Sequence, residues 1–161
     1  MESTFALIKP EAVTAGLVGE IIRRFEHAGL RLSALRLLVP SRALAGQHYG
    51  EDIESRYGRE VREWLLEYLA HGPVVALVLA GPEAVRTARA LAGEAACPTQ
   101  CAVGTIRADL SGDTREQANA QRRALRNAIH TSDSPEAALR ETTIWFGADA
   151  AGPFFEETSD V

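Results

Sequence analysis

The sequence has 161 residues, of which 46% are hydrophobic and 24% charged, ordinary proportions for a globular protein of one domain. Its formal net charge of −5 excludes the broad positive surface that general nucleic-acid binding requires. The longest apolar run, at residues 74–80, is too short to cross a bilayer, and the first residues lack the basic and apolar regions of a signal peptide. We therefore expect a cytoplasmic protein that binds neither nucleic acid nor membrane.

Apolar patterns divide the chain into strands and helices. In chain order, they predict a strand at residues 4–8, a helix at 17–28, a strand at 30–39, helices at 41–49 and 61–71, a strand at 74–79, a helix at 82–92, a polar helical stretch at 111–126, a helix that starts at 134 and a strand at 142–146. Residues 50–59 and 94–105 are polar and predict surface loops or a partial helix. Strands joined by crossover helices are typical of an α/β sandwich, in which helices cover a sheet.

One stretch combines a histidine with amide, hydroxyl and carboxylate side chains. His130 follows Asn127 and precedes Ser132 and Asp133, and Glu141 lies a short distance further on. A neutral imidazole is nucleophilic, and an unperturbed pKa of about 6.5 leaves a large neutral fraction at pH 7. A carboxylate that holds one ring nitrogen leaves the other free to attack an electrophile. Taken alone, the spacing favours a simpler interpretation, a histidine packed in a turn and satisfied by Ser132 or Asp133.

Several cations and both cysteines are candidates for other sites. Lys9, at the end of the first predicted strand, is either a solvated surface charge or a ligand contact at the edge of the sheet. Arg89 lies on the predicted helix at residues 82–92, where most charges are solvated. Cys97 and Cys101 are the only cysteines, and neither a second pair nor a nearby histidine completes a zinc site. We expect reduced thiols and no metal held by the protein's own side chains.

Together, these segments resemble the nucleoside diphosphate kinase family over about residues 4–147. The resemblance is carried by residues 4–13 (TFALIKPEAV), 16–22 (GLVGEII), 48–49 (HY), 72–76 (GPVVA), 104–107 (GTIR) and 126–134 (RNAIHTSDS). Each segment alone is a weak signal. All of them in the family's order, ending on its histidine motif, make a specific match.

The resemblance implies a ferredoxin-like βαββαβ core, with a four-stranded antiparallel sheet covered by helices. The domain would occupy residues 1–147 and a C-terminal tail residues 148–161. The implied reaction has two steps, in which a nucleoside triphosphate such as ATP gives its γ-phosphoryl group to His130 and a nucleoside diphosphate then takes it. Magnesium would be held mainly by the nucleotide phosphates and water. The family also implies a homo-oligomer, either a hexamer or a tetramer.

The resemblance gives roles to individual side chains. The expected catalytic set comprises the nucleophile, the pair that orients its ring, a pocket tyrosine and a cation: His130, Glu141, Ser132, Tyr49 and Lys9. The expected nucleotide contacts comprise cations for phosphate oxygens, an amide for the sugar 3′-hydroxyl and a position beside the base: Lys9, Arg89, Arg107, Asn127 and Val61. Guanidinium groups suit phosphate oxygens because they donate two parallel hydrogen bonds.

Three departures from the family pattern bear on substrate range and assembly. Val61 stands where the family stacks the base on a phenylalanine, and it also fits the core face of its predicted helix. The family's phosphate-contacting threonine falls on Ala95 or Ala96, so one hydroxyl contact is absent unless Thr99 replaces it. An insertion lies within residues 109–126, next to a region that the family uses in subunit contacts, and Thr131 replaces a glycine after the nucleophile.

The leading interpretation is an ATP-dependent nucleoside diphosphate kinase with broad base tolerance. The changed base position and the insertion leave two alternatives open. One is a nucleotide-binding or scaffolding relative with weak turnover, and the other is a kinase specialised for one unusual nucleotide.

Overall fold

The computed structural model describes residues 1–148, most of which lie in a sheet and its helices. The strands are β1 (Glu2–Ile8), β2 (Arg31–Leu38), β3 (Val74–Gly81) and β4 (Ile129–Thr131). The helices are α1 (Pro10–Thr14), α2 (Val18–His27), α3 (Arg42–His48), α4 (Glu51–Tyr57), α5 (Arg59–Ala70), α6 (Ala84–Ala92), α7 (Ile106–Leu110), α8 (Arg115–Ala120) and α9 (Pro135–Phe146), with a 3-10 turn at Pro98–Gln100. The predicted tail at residues 148–161 lies outside the described residues except for Ala148. Within the described part, no helix has both the length and the apolar character needed to cross a bilayer.

The strands form one antiparallel sheet in the order β2-β3-β1-β4. Helix α2 connects β1 to β2, and α6 lies between β3 and β4 in the chain, so the order contains two βαβ halves. This arrangement confirms the predicted ferredoxin-like core with a four-stranded antiparallel sheet. The central strand β1 ends at Ile8, directly before Lys9, and pairs with β4, which carries His130.

Helices cover both faces of the sheet, and this explains the apolar runs in the sequence. Ala6 and Ile8 of β1 pack in one core cluster with α2 and α6, whereas Phe5 and Leu7 pack in a second cluster with α3, α5 and α9. Successive side chains of a strand point to opposite faces, so a strand covered on both sides is apolar throughout. Every residue of β3 is buried for this reason.

The prediction of a final strand at residues 142–146 is wrong. These residues form the last turns of α9, and the fourth strand is the short β4, which precedes that helix. The hydroxyl of Ser134 accepts a hydrogen bond from the N–H of Ala137, which caps the helix, and the buried positions 138, 141, 142 and 145 then follow helical spacing. The β-branched residues near 142 favoured a strand, but packing of the helix on β1 overrides that preference.

A close contact between Gly72 and Pro10 leads to a stability prediction. A Cβ atom added at Gly72 would lie 2.5 Å from the Cβ of Pro10 and 2.9 Å from its Cγ, and a proline ring cannot turn aside. We expect Gly72→Ala to lower the free energy of unfolding by about 1–3 kcal/mol, measured by urea denaturation. Gly19 is the control, because an added Cβ there meets nothing within 4 Å and alanine favours helix α2. A Gly72→Ala protein as stable as the wild type would contradict this packing.

Candidate active site

A strained turn before β4 fixes the position of His130. Ala128 has a φ of 66°, a left-handed conformation that costs an L-residue roughly 1–2 kcal/mol. Its N–H donates to Glu11 Oε1 at 2.8 Å, and its carbonyl accepts from the N–H of Lys9 at 2.9 Å. β4 then pairs with β1, which sets His130 opposite Leu7. The loop after β1 and the start of β4 are therefore locked together beside the imidazole.

Glu141 holds one nitrogen of the His130 ring. Nε2 of His130 lies 2.9 Å from Glu141 Oε2, and the same oxygen accepts a 2.6 Å hydrogen bond from the hydroxyl of Ser132. Ser132 is fully buried, and its hydroxyl also contacts the carbonyl of Phe5 at 3.4 Å. An ionised carboxylate only accepts, so Nε2 carries the hydrogen of the neutral ring. Nδ1 is left with its lone pair and with no hydrogen-bond partner among residues 1–148.

The environment of Glu141 keeps its carboxylate ionised. Burial is the largest influence and raises its pKa, but the attraction and hydrogen bond of His130, together with His48 and Ser132, lower the pKa to about 2. The other oxygen, Oε1, accepts a hydrogen bond from Arg140 at 3.3 Å. Glu141 is therefore a buried anion near neutral pH, and it stabilises positive charge on the His130 ring.

A cavity of about 480 Å³ opens beside His130, a volume that suits a small ligand. The cations, the phenol and the carboxylates in its wall, besides Glu141, are Arg56, Arg89, Arg140, Tyr49, Asp52, Asp133 and Glu136. The side chain of His130 is 25% exposed, so a ligand can reach its ring. Tyr49 is nearly buried, and this burial raises the pKa of its phenol. Tyr49 is therefore a neutral hydroxyl in the cavity wall.

Lys9 and Asn127 form a buried polar pair. Nζ of Lys9 donates to Asn127 Oδ1 at 2.6 Å, and Nδ2 of Asn127 donates to the carbonyl of Ala96 at 2.8 Å. The pKa of Lys9 is lowered to about 8, mainly by burial. The negative charge of Glu11 opposes this decrease, and the positive charge of Arg107 adds to it. Neither Lys9 nor Asn127 is among the described side chains that line the cavity beside His130.

Arg107 is committed largely to the main chain. Its Nη1 donates to the carbonyls of Gly93 and Ala95, both at 2.8 Å, and its Nε and Nη2 donate to the carbonyl of Ile129 at 3.3 and 2.9 Å. One of its five N–H donors remains for a ligand. Burial and then the charge of Arg89 lower its pKa, so these two cations lie close enough to repel each other. Arg107 therefore ties the loop after α6 to β4 and adds charge to the site.

The departures from the family pattern lie around this centre. Val61 is half buried on α5 and is not among the described side chains that line the cavity. Ala95 and Ala96 supply main-chain carbonyls to the site rather than a hydroxyl. The hydroxyl of Thr99 lies 3.3 Å from Cys97 Sγ. Both cysteines are free thiols, and they belong to no cluster of metal-ligating side chains in the described chain.

The segment at residues 109–126, where the sequence predicts an insertion, contacts α5. Asp113 accepts hydrogen bonds from the guanidinium of Arg123 at 2.6 and 2.9 Å, and Arg122 forms an ion pair with Glu60. These contacts border a second cavity of about 660 Å³, whose apolar walls include Pro10, Trp64, Tyr68 and Pro73. It is the larger of the two, but His130 and Glu141 lie outside its walls. The smaller cavity is therefore the candidate active site.

Two side chains at the site escaped the sequence patterns. The His48 ring lies 4.7 Å from the His130 ring, measured between centroids, and the two planes cross at 88°. Trp145 on α9 donates from Nε1 to Nδ1 of His48 at 3.3 Å. Only the position of His48 next to Tyr49 in the motif at 48–49 pointed to it. Nitrogen and oxygen atoms of His48, His130 and Glu141 lie within 4.8 Å of one another. However, Nδ1 of His48 is already paired with Trp145, and Nε2 of His130 with Glu141, so these atoms are not free to bind a metal ion.

Comparisons with known proteins agree with this geometry. A family model described as nucleoside diphosphate kinase matches residues 2–151. A nucleoside diphosphate kinase of Methanosarcina acetivorans is 41% identical over 96% of this chain and 93% of its own, and human nucleoside diphosphate kinase 3 is 45% identical over 92% of this chain and 79% of its own. A solved transition-state mimic of the Borrelia burgdorferi nucleoside-diphosphate kinase, with bound vanadate and ADP, has a TM-score of 0.90 at 32% identity, over 97% of this chain and 93% of that chain. The chain belongs to the nucleoside diphosphate kinase family.

Proposed function

We propose that this protein transfers the γ-phosphoryl group of a nucleoside triphosphate to a nucleoside diphosphate, with Nδ1 of His130 as the nucleophile. The observation that carries the proposal is the pairing of Nε2 with Glu141, which leaves a lone pair on Nδ1 in a ring exposed to a cation-bearing cavity. Residues 1–147 would form the nucleotide-binding domain.

The exchange would proceed in two displacements at one phosphorus atom. Nδ1 forms a bond to the γ-phosphorus while the bond to the β–γ bridging oxygen breaks, and the diphosphate leaves with that bonding pair. A terminal oxygen of a second diphosphate then attacks the same phosphorus and releases Nδ1. Phosphoryl transfer depends mainly on in-line positioning and on the neutralisation of charge. Glu141 would balance positive charge on the His130 ring, and Lys9, Arg89 and Arg107 would balance negative charge on the phosphates.

The polar pair of Lys9 and Asn127 would bind the sugar and phosphates. Asn127 is fixed by the carbonyl of Ala96, so its amide is oriented before a ligand arrives. Tyr49, as a neutral phenol, would donate a hydrogen bond to a phosphoryl oxygen. Val61 would lie near the base at the exposed end of the site, where its small side chain gives little stacking area and little base preference.

Magnesium is the divalent ion that we propose for the reaction. The exposed carboxylates of Asp52, Asp133 and Glu136 line the cavity. Magnesium prefers oxygen ligands, and these carboxylates would bind it directly or through water. Glu141 would not serve, because His130, Ser132 and Arg140 already occupy its oxygens. When bound, the ion neutralises negative charge on the β- and γ-phosphate oxygens.

Transfer of label tests the proposed reaction. Incubation with γ-labelled ATP and magnesium should give an acid-labile, alkali-stable phosphoprotein. Addition of GDP or CDP should then move the label to the corresponding triphosphate. Thermal stabilisation by nucleotides without any transfer of label would contradict the proposal and favour a nucleotide-binding relative.

Lys9 gives the reaction an expected pH dependence. It is the only lysine in the sequence, and burial lowers its pKa to about 8. The charged amine binds phosphate, so kcat/KM, which reports the free enzyme, should fall about tenfold per pH unit above that pKa. Lys9→Arg should abolish this decrease of kcat/KM at high pH, because arginine keeps its charge, although the absolute rate will be lower. Cys97, whose pKa is lowered mainly by the hydrogen bond with Thr99, is the control: Cys97→Ser should still show the decrease of kcat/KM at high pH.

We propose a cytoplasmic homo-oligomer, either a hexamer or a tetramer. Strand β2 lies at an edge of the sheet, and Leu35, Leu37 and Val39 on or beside it are exposed, with Leu37 at 62%. An apolar edge strand of this kind supports association with a second copy. A mass measurement in solution tests the assembly, and a monomer at micromolar concentration would contradict it. Cell fractionation tests the location.

A further inference from the structure

His48 has a buried donor that nothing in the proposed chemistry uses. Its side chain is 4% exposed, and Nε2 is cut off from solvent without a hydrogen-bond partner among the described residues. Buried polar atoms are nearly always paired, so an unpaired one beside a nucleophile calls for a physical reason. The ring also packs against His130 and Trp145.

The contact with Trp145 decides which tautomer His48 adopts. An indole Nε1 is a donor only, and it donates to Nδ1 of His48 at 3.3 Å. Nδ1 must therefore carry a lone pair, and the neutral ring carries its hydrogen on Nε2. His48 thus presents an N–H group, and not a lone pair, at its unpaired nitrogen. This tautomer cannot ligate a metal through Nε2 unless the bond from Trp145 breaks.

The perpendicular ring contact restricts a motion that Glu141 leaves free. A single hydrogen bond at Nε2 of His130 still tolerates some rotation about the Cβ–Cγ bond, because hydrogen bonds accept a range of angles. The ring of His48 stands 4.7 Å away at 88°, and such an edge-to-face contact blocks this rotation. Phe5 contacts both imidazoles, with centroids 5.9 Å from His48 and 6.3 Å from His130. His130 is thereby held in two directions.

An uncharged His48 also protects the pairing of Glu141 with His130. The charged and titratable groups that face His48 are His130 on β4, Glu141 and Arg140 on α9, Lys9 before α1, and the adjacent Tyr49. A protonated His48 would compete for Glu141 and repel positive charge on His130. Burial, and then the charge of His130, hold the pKa of His48 well below its usual value, and Glu141 opposes this only in part.

We propose that His48 is a positioning residue for His130: Trp145 fixes its tautomer, and its uncharged ring, which carries its hydrogen on Nε2 and stands at 88° to the His130 ring, holds that ring so that Glu141 stays on Nε2 and Nδ1 stays available to phosphorus. The kinetic consequence rests on the proposed function. The tautomer and the ring contact do not, so they can be tested separately.

Nitrogen NMR of the full chain labelled with ¹⁵N-histidine tests the tautomer without any reaction. His48, assigned by comparison with His48→Asn, should show an unprotonated Nδ1 and a protonated Nε2 at every pH between 5.5 and 8. A signal with the hydrogen on Nδ1, or a titration within this range, would overturn the proposal. This outcome does not depend on whether the protein transfers phosphoryl groups.

A matched pair of substitutions tests the positioning role. The amide nitrogen of His48→Gln can lie near the position of Nε2 and keep an N–H group there. The side chain of His48→Asn instead keeps an acceptor for Trp145 near the position of Nδ1 and loses that N–H. Single-turnover phosphorylation of His130 should slow roughly 3- to 10-fold in His48→Asn, with little change in KM, and should recover to within about twofold in His48→Gln.

A purely structural role for His48, as the partner of Trp145, would reverse the order of these variants. A faster His48→Asn than His48→Gln, or an equal loss in both, would therefore overturn the proposal. If either variant fails to fold, the NMR result on the wild-type chain decides, with His48 assigned by elimination from spectra of His27→Asn, His71→Asn and His130→Asn.

Discussion

His130→Asn is expected to abolish phosphoprotein formation and to lower nucleotide exchange by on the order of 10⁴-fold or more. Asparagine has no nitrogen lone pair that can form a bond to phosphorus, and the two-step route needs such a bond. Its amide is smaller than the ring that it replaces, so it introduces no clash with His48 or Glu141. The measurement is single-turnover labelling with γ-labelled ATP, followed by steady-state exchange between ATP and GDP.

Retained nucleotide binding separates loss of chemistry from loss of fold in this variant. ADP should raise the melting temperature of His130→Asn about as much as that of the wild type, because Lys9, Asn127 and Arg89 are unchanged. His27→Asn is the matched control: His27 is exposed on α2, and its Nδ1 contacts only the main chain of Arg23. Stable label on His130→Asn would move the nucleophile to another residue and contradict the proposed mechanism.

Much of the fold follows from the sequence because both faces of the sheet are covered. A strand buried on both sides is a continuous apolar run, and this pattern predicts β1 and β3 directly. The error at residues 142–146 has a physical cause, since β-branched side chains fit both a strand and a well-packed helix. β4 escaped detection because it covers only Ile129–Thr131 and contains polar residues.

The candidate site could be predicted in part, because its family motifs lie in short continuous segments. Glu141 carried a local signal as well, a carboxylate a short distance after His130 in the sequence. The contact between His48 and His130 carried none, since α3 and β4 meet only through the folding of the whole domain. Likewise, no pattern in the sequence shows that most donors of Arg107 reach main-chain carbonyls.

Glu141→Gln is expected to slow phosphorylation of His130 by about 100-fold and to destabilise the protein at neutral pH. The amide oxygen of glutamine can still accept from Nε2, so the ring keeps its orientation. The variant loses the negative charge that stabilises the positive imidazole as the phosphoryl group arrives. KM for nucleotides should change little, because Glu141 is 3% exposed and its oxygens are already paired with His130, Ser132 and Arg140.

The stability effect of Glu141→Gln should depend on pH in a defined direction. The pKa of Glu141 is lowered from its ordinary value of 4.5 to about 2 in the folded protein. Between these pH values the unfolded chain binds the proton and the folded protein does not, so the stabilisation is complete above about pH 4.5 and is lost as pH falls toward 2. The shift corresponds to on the order of 3 kcal/mol at neutral pH.

Urea denaturation of both proteins across this range isolates the contribution of Glu141, since every other carboxylate cancels in the difference. The free energies of unfolding should differ most at pH 6–7 and should converge as pH falls from about 4.5 to about 2. Glu26→Gln, an exposed change on α2, should match the wild type at each pH. A difference that stays constant with pH would mean that Glu141 acts through its shape and not its charge, and the electrostatic role given to it in the reaction would then fail as well.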